Sequence, residues 1–224
     1  IHGSAARNNL YIVNGNLGTA VTFDGVDDYI DLPDGFNEFD NGFTVTLWAK
    51  PTAAKNFARF IELGSGTYDN NIYLSREGTT NGLRFKAFGG DTSDGAVIAD
   101  DVLELNRWQF LAAAIDTAGN VTLYKNGQPV ATGTSTWPWG VMRTENYLGR
   151  SSWSSDDYYE GAMDEVRVFD YALTAQQIQT LFADSAHCMA VYPEHLDFNW
   201  DCVINLADMV LFFERWLANG LYSP

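Results

Sequence analysis

Basic residues are scarce in this chain of 224: 13 Lys and Arg stand against 29 Asp and Glu, a formal charge of -16. That excess repels nucleic-acid phosphates and anionic membranes, so neither is expected as a partner. Cysteine is nearly missing, with only Cys188 and Cys202 present. Their even count and short separation favour one local disulfide, with two buried thiols as the alternative. No apolar run approaches the length of about 20 residues that a membrane-spanning helix needs. The opening Ile1-His2-Gly3-Ser4 has neither the charged nor the apolar region of a signal peptide, so a secreted protein beginning here is read as already processed. Histidine is limited to His2, His187 and His195, in terminal or linker segments, and no Gly-x-Ser-x-Gly occurs. Zinc and serine-nucleophile chemistry therefore have no visible residues.

What is present describes a globular, turn-rich protein: 46% hydrophobic residues, 14% aromatics, 20 glycines and only 19% charged residues. The length fits one large β domain with a small appendage, or two ordinary domains. Asp outweighs Glu in segments rich in Asn and Gly, which suits an extracellular or cell-surface protein that holds calcium. Phe43, Val45, Leu47 and Ala49 alternate with Thr44, Thr46, Trp48 and Lys50, placing one face on a core and Trp48 on the other. The same period recurs from Val121 to Lys125, and Asp-Gly, Asn-Gly and Gly-Gly pairs punctuate the chain. Many short strands with such turns predict two packed antiparallel sheets, a mostly β, jelly-roll sandwich.

Local signals place further elements. Leu10 to Val13 reads as a strand after a leader, and Gly18 to Pro33 as a hairpin about the Asp24-Gly25 turn. Thr174 and Gln177 form a capping box that opens a short closing helix with Ile178, Leu181 and Phe182 at helical spacing, ending near Ala183 and packing on the sandwich. The domain division is thus 1–184 for the sandwich, 185–196 for a linker and 197–224 for a calcium loop and helix. The second helix, about Leu206 to Ala218, presents Val210, Phe213 and Leu217 in one stripe for docking on the sandwich or on a partner.

The sharpest chemical pattern lies in that last segment. Asp197, Asn199, Asp201, Asn205 and Asp208 put oxygen-bearing side chains at positions 1, 3, 5, 9 and 12 of a twelve-residue loop. With the carbonyl of Val203 at position 7 and a water, they supply the six or seven oxygens that Ca²⁺ takes. An acidic turn capping a helix gives no reason for the odd-numbered spacing. The loop resembles that of dockerin modules, whose pattern Asp-x-Asn-x-Asp-Gly-x-Ile-Asn-x-x-Asp is met at Asp197, Asn199, Asp201, Ile204, Asn205 and Asp208. Cys202 stands where that pattern has glycine, and a Cys188–Cys202 bridge closing a loop across the site could hold it there. Cohesin-binding dockerins carry two such repeats and this chain one, so the resemblance carries calcium binding further than it carries a cohesin-like partner.

A second resemblance spans about residues 10 to 184. Phe23-Asp24-Gly25-Val26-Asp27-Asp28-Tyr29-Ile30 is followed in order by Phe43 to Pro51, Asn106-Arg107-Trp108, Val121 to Gly127, Leu148-Gly149-Arg150 and Gly161 to Leu173. This set resembles the LamG-like branch of the concanavalin A-like lectin/glucanase superfamily. The resemblance implies a structural Ca²⁺ held by Asp24 and Asp164, with Asp28 beside them, unless these acids serve only as turn formers. The superfamily's glucanases carry Glu-x-Asp-x-x-Glu on one strand, and that spacing occurs nowhere here. Alternation puts Asp164 and Glu165 on opposite faces, so they do not make the carboxylate pair that glycoside hydrolysis needs.

Aromatics complete the reading. Trp137, Trp139, Trp153, Tyr158 and Tyr159 fall in loop-like segments, where rings can meet pyranose faces, whereas Trp48, Trp108 and Tyr124 fall at positions of the LamG-like set, and the resemblance implies a structural role for them. The expected function is a secreted, non-catalytic, calcium-stabilised binding module for a glycan or an extracellular protein. Two other classes stay open: a self-associating structural subunit of an extracellular assembly, and an accessory part of a larger glycan-active enzyme.

Overall fold

The computed structural model describes the backbone of residues 12–15, 18–91 and 95–190, and side chains within 20–185. The calcium loop from Asp197 to Asp208, the Cys188–Cys202 bridge and the second helix lie outside the described residues.

Two antiparallel sheets face each other. The first runs in the order β1 (Ile12–Gly15), β2 (Gly18–Asp24), β13 (Glu160–Phe169), β4 (Phe43–Pro51), β9 (Gln109–Ile115), β10 (Asn120–Lys125) and β11 (Gln128–Thr134). The second runs β3 (Ile30–Asp31), β12 (Glu145–Leu148), β5 (Arg59–Gly64), β6 (Ile72–Arg76), β7 (Leu83–Ala87) and β8 (Val97–Ala99). Alternation along β4 sends Phe43, Val45 and Leu47 against Ile61, Leu63, Leu74 and Phe85 in the space between the sheets. Burial of each such side chain contributes roughly 1.5–3 kcal/mol. The jelly-roll sandwich expected from the alternation is the fold.

The central strands of the seven-stranded sheet are also covered on their opposite face. Trp48, Phe110 and Tyr124 project there and meet Leu173, Ile178 and Phe182 of the closing segment and helix α1 (Ala175–Ala190). The capping box forms: Gln177 N donates to Thr174 Oγ1 at 3.3 Å, and Thr174 N donates to Gln177 Oε1 at 2.9 Å. Trp48 Nε1 donates to Ser185 Oγ at 2.9 Å, which fixes the helix along β4. Trp48 therefore lies on the face opposite the core, as its alternation requires. The helix is longer than its apolar spacing suggested, running to Ala190 through the first part of the segment read as linker.

Two local readings need correction. The Asp24-Gly25 segment is not a hairpin turn, because β2 pairs with β1 and β13 while β3 pairs with β12 in the other sheet. The segment between them crosses from one sheet to the other. Nor does strict alternation hold at Asp164 and Glu165: a bulge shifts the β13–β4 register between Asp164 and Arg167, with Glu165 at φ 50°. Both acids consequently line one apolar cleft of about 550 Å³ with Val21, Ile30 and Met163.

Candidate functional site

The crossing segment wraps around its own first side chain. Asp24 Oδ1 accepts from the amides of Val26, Asp27 and Asp28 at 2.8, 3.2 and 3.4 Å, while Asp24 N donates to Asp28 Oδ2 at 3.0 Å. Gly25 turns the chain at φ 73°, and a Cβ there would lie 2.7 Å from Glu160 Cβ. The wrapping gathers carboxylate oxygens of Asp24, Asp27 and Asp28 within 4.8 Å of one another. Asp28 is fully buried, and its Oδ1 has no hydrogen-bond partner. Burial raises the Asp28 pKa, assisted by repulsion from Asp24 and Asp27. Burial also acts upward on Asp24, but its backbone hydrogen bonds prevail and hold that pKa below the usual value. Hard oxygen donors with one oxygen left unbonded can hold a metal ion.

The three expected ligands do not all meet. Asp24 and Asp28 are together, but Asp164 is not with them: Glu160 stands opposite Asp24 and Met163 opposite Val21, so Asp164 falls farther along β13, across from Trp48 on β4. The acid that packs over the loop is Glu160, held by Thr52 Oγ1 at 3.3 Å and Lys55 Nζ at 3.4 Å. Only strand register reveals that neighbour.

Over β5 and β6, the outer face of the six-stranded sheet is covered by the segment between β12 and β13. Glu62, fully buried, accepts from Arg59 Nε at 2.7 Å, Asn71 Nδ2 at 3.0 Å and Ser152 N at 3.0 Å. Arg59 also reaches Asp156 at 2.8 Å and lies 3.9 Å from the Tyr73 ring centroid. Trp153 closes the assembly, its ring 5.2 Å from Tyr68, 5.8 Å from Tyr73 and 5.9 Å from Phe88. The carboxylates of Glu62 and Asp156 are thus committed to holding a loop on a sheet.

The five loop aromatics separate by environment. Trp139 is 58% exposed, and its indole lies across Gly89 and Gly90, where an added Cβ would come within 3.0 Å of Nε1 and Cη2 respectively. Trp137 packs partly buried against the core, Trp153 staples its loop, and Tyr158 is half-buried 6.3 Å from the Tyr29 ring. Tyr159 is a correction. It is 2% exposed, packs between Phe23 and Phe60 and donates to Ala162 O at 3.0 Å, so it cannot touch a ligand. Trp48 and Tyr124 are buried, with Trp108 packed against their cluster, which agrees with a structural role.

Two residues missed in the sequence, Tyr68 and Arg143, lie in the loops tied to Trp139. Tyr68 is 56% exposed at φ 61°, a conformation that is costly for a bulky side chain and is retained where surrounding contacts fix it. The buried Arg143 binds those surroundings together, donating to Asn70 O at 2.9 Å, Phe36 O at 2.6 Å and Trp139 O at 3.0 Å. Burial lowers its pKa to about 10, with Asp69 opposing, so it stays charged at neutral pH. Asn70 Oδ1 in turn accepts from Gly90 N at 2.8 Å. The loops carrying Tyr68, Gly89-Gly90 and Trp139 are one hydrogen-bonded unit, signalled in sequence only by the glycine pair.

Residues 24–179 match the family model described as the concanavalin A-like lectin/glucanases superfamily. Domain 4 of AbnA, a GH43 extracellular arabinanase from Geobacillus stearothermophilus solved with arabinotriose, is similar at TM-score 0.61 and 24% identity, over 78% of this chain and 82% of its own. The CBM40 of Ruminococcus gnavus IT-sialidase, bound to alpha2,3 sialyllactose, is similar at TM-score 0.55 and 13% identity, over 72% of this chain and 97% of its own. A native heptameric SAP-like pentraxin from Limulus polyphemus gives TM-score 0.54 and 17% identity, over 78% of this chain and 84% of its own. At these identities the likeness is one of fold. No curated protein matches the chain.

Proposed function

Since this chain belongs to the concanavalin A-like lectin/glucanases superfamily, we propose that it is a non-catalytic, glycan-binding module of an extracellular or cell-surface protein, working as an accessory part of a larger glycan-active one. The observation that carries this reading is Trp139, a largely exposed indole held across Gly89 and Gly90 by the Arg143 network. An exposed ring whose backbone is already fixed can stack on a pyranose or furanose face with little ordering cost. Arabinotriose, bound to the fourth domain of the arabinanase, is the first oligosaccharide to try.

Calcium belongs to the reading in two places. Asp24, Asp27 and Asp28 would take one ion and thereby satisfy Asp28 Oδ1, which supports the loop without any step of chemistry. Asp197, Asn199, Asp201, Val203, Asn205 and Asp208 would take the other, beyond a division at 185–196, with Cys188 and Cys202 joined and a cohesin-like partner for the segment 197–224.

The test is an oligosaccharide array probed with the purified chain and with Trp139→Ala, whose melting curve checks that it folds. Wild type should be retained by at least one oligosaccharide, and the variant should bind it about tenfold more weakly, equivalent to about 1.4 kcal/mol. Retention by none, or equal retention of both proteins, rejects the reading.

A further inference from the structure

Arg150 is the only arginine among the described residues that neither hydrogen-bonds nor ion-pairs. Arg59, Arg76, Arg84, Arg107, Arg143 and Arg167 each reach a carbonyl or a carboxylate. In a chain of 29 acids and 13 bases an arginine left without an acid is unexpected on charge alone. Its position is nonetheless fixed. The guanidinium carbon lies 4.8 Å from the Tyr29 ring centroid and 4.5 Å from that of Tyr147, and these rings meet edge to face at 5.6 Å. Tyr158 leans on Tyr29 at 6.3 Å. Ring contacts attract the charge but accept none of the five N–H donors of a guanidinium. A half-buried, preorganised fork of donors remains.

We propose that Arg150, with Tyr29, Tyr147 and Tyr158, forms a subsite for the carboxylate of an acidic sugar. A planar guanidinium matches a carboxylate through two parallel N–H···O bonds, and the tyrosines supply faces for the sugar ring. The inference rests on the glycan-binding reading and deepens it by naming the ligand class. The subsite shares a surface with the rest: Tyr147 lies on β12 of the six-stranded sheet, and Arg150 begins the loop that carries Trp153 over that sheet. Asp31, opposite Tyr147, and the half-buried Glu145 are the nearby acids on these strands, and neither pairs with Arg150. Asp28 precedes Tyr29 in the chain. Their repulsion of an anionic ligand is weakened by salt over about 8–10 Å, whereas a direct bidentate contact is screened much less.

Two sources offer this chemistry, uronic acids within a chain and sialic acid at its end. The full chain is titrated calorimetrically with trigalacturonate and its carboxyl-reduced counterpart, and with sialyllactose and lactose. The expected result is at least tenfold tighter binding of the acid in one of the two pairs. Arg150→Gln should abolish that preference while leaving neutral oligosaccharides bound as in wild type, and Arg150→Lys should restore it only in part, a point charge lacking the fork. Equal affinity for acid and neutral partners overturns the subsite and leaves the module reading standing. So does a preference that survives Arg150→Gln. Failure of wild type to bind any oligosaccharide overturns both.

Discussion

A buried carboxylate with one oxygen bonded and the other unpartnered costs stability unless a positive charge meets it, and Asp28 is placed in that way. Its pKa is raised, so the favourable neutral form is fully present below the ordinary 3.8 and is lost as pH rises through the raised value. Asp24 has the opposite sign: its lowered pKa contributes stability above 3.8 that is lost as pH falls through the lowered value. Without a cation, Asp28→Asn should therefore leave the melting temperature at neutral pH unchanged or higher. With calcium, wild type should bind one more ion per chain than the variant, and this difference should fade as pH falls toward 3.8 and Asp28 takes up a proton. Equal ion counts by elemental analysis would remove the metal from this loop. Asp24 and Asp28 were legible in the sequence because one turn of chain brings them together, while Asp27, between them, joins the cluster without having been expected as a ligand. The separation of Asp164 from them was not legible, since it is set by the register of β13 on β2.

At the scale of elements, the same contrast separates what short-range pattern determines from what distant partners decide. The alternation of β4 and the capping box at Thr174 are local, and both led to the correct faces: Trp48 under the helix, Leu47 in the core. β3 pairs with β12, and β2 pairs with its neighbour β1 on one side and with β13 on the other, the two later strands lying more than a hundred residues on, so an Asp-Gly pair that usually closes a hairpin instead crosses between sheets. The bulge after Asp164 likewise gives no short-range warning. Helix α1 supplies a stability prediction. Its Ile178 is fully buried against the sheet, and Ile178→Ala should cost about 2–5 kcal/mol by chemical denaturation. A loss under about 0.5 kcal/mol would mean that the helix does not cover the sheet as described. Among the loops, Gly90→Ala meets both its own φ of 67° and the indole of Trp139 at 3.0 Å. It should displace that ring and weaken oligosaccharide binding, while Gly95→Ala, at φ 48° with nothing within 4 Å, should share only the backbone strain.

For the molecule as a whole, the sandwich acts as a rigid frame that presents side chains from separate segments on one surface. Arg143 ties the backbones at Phe36, Asn70 and Trp139, and the Arg59–Glu62–Asp156 group fastens the Trp153 loop to the six-stranded sheet. Replacing Arg143 by Gln would leave several buried carbonyls unsatisfied, at about 1–3 kcal/mol each. It should lower the melting temperature and the oligosaccharide affinity together. Composition and alternation made the fold legible, and the aromatic content suggested a sugar surface. Which rings remain exposed depends on packing that no single segment encodes: Tyr159 enters the core, while Tyr68, unmarked in sequence, stands out in a left-handed backbone. The central claim is that Trp139 carries glycan recognition. Calorimetric titration of an array-selected oligosaccharide into wild type and Trp139→Ala tests it most directly. The prediction is saturable one-to-one binding by wild type that weakens about tenfold in the variant. Identical dissociation constants for the two proteins would contradict it.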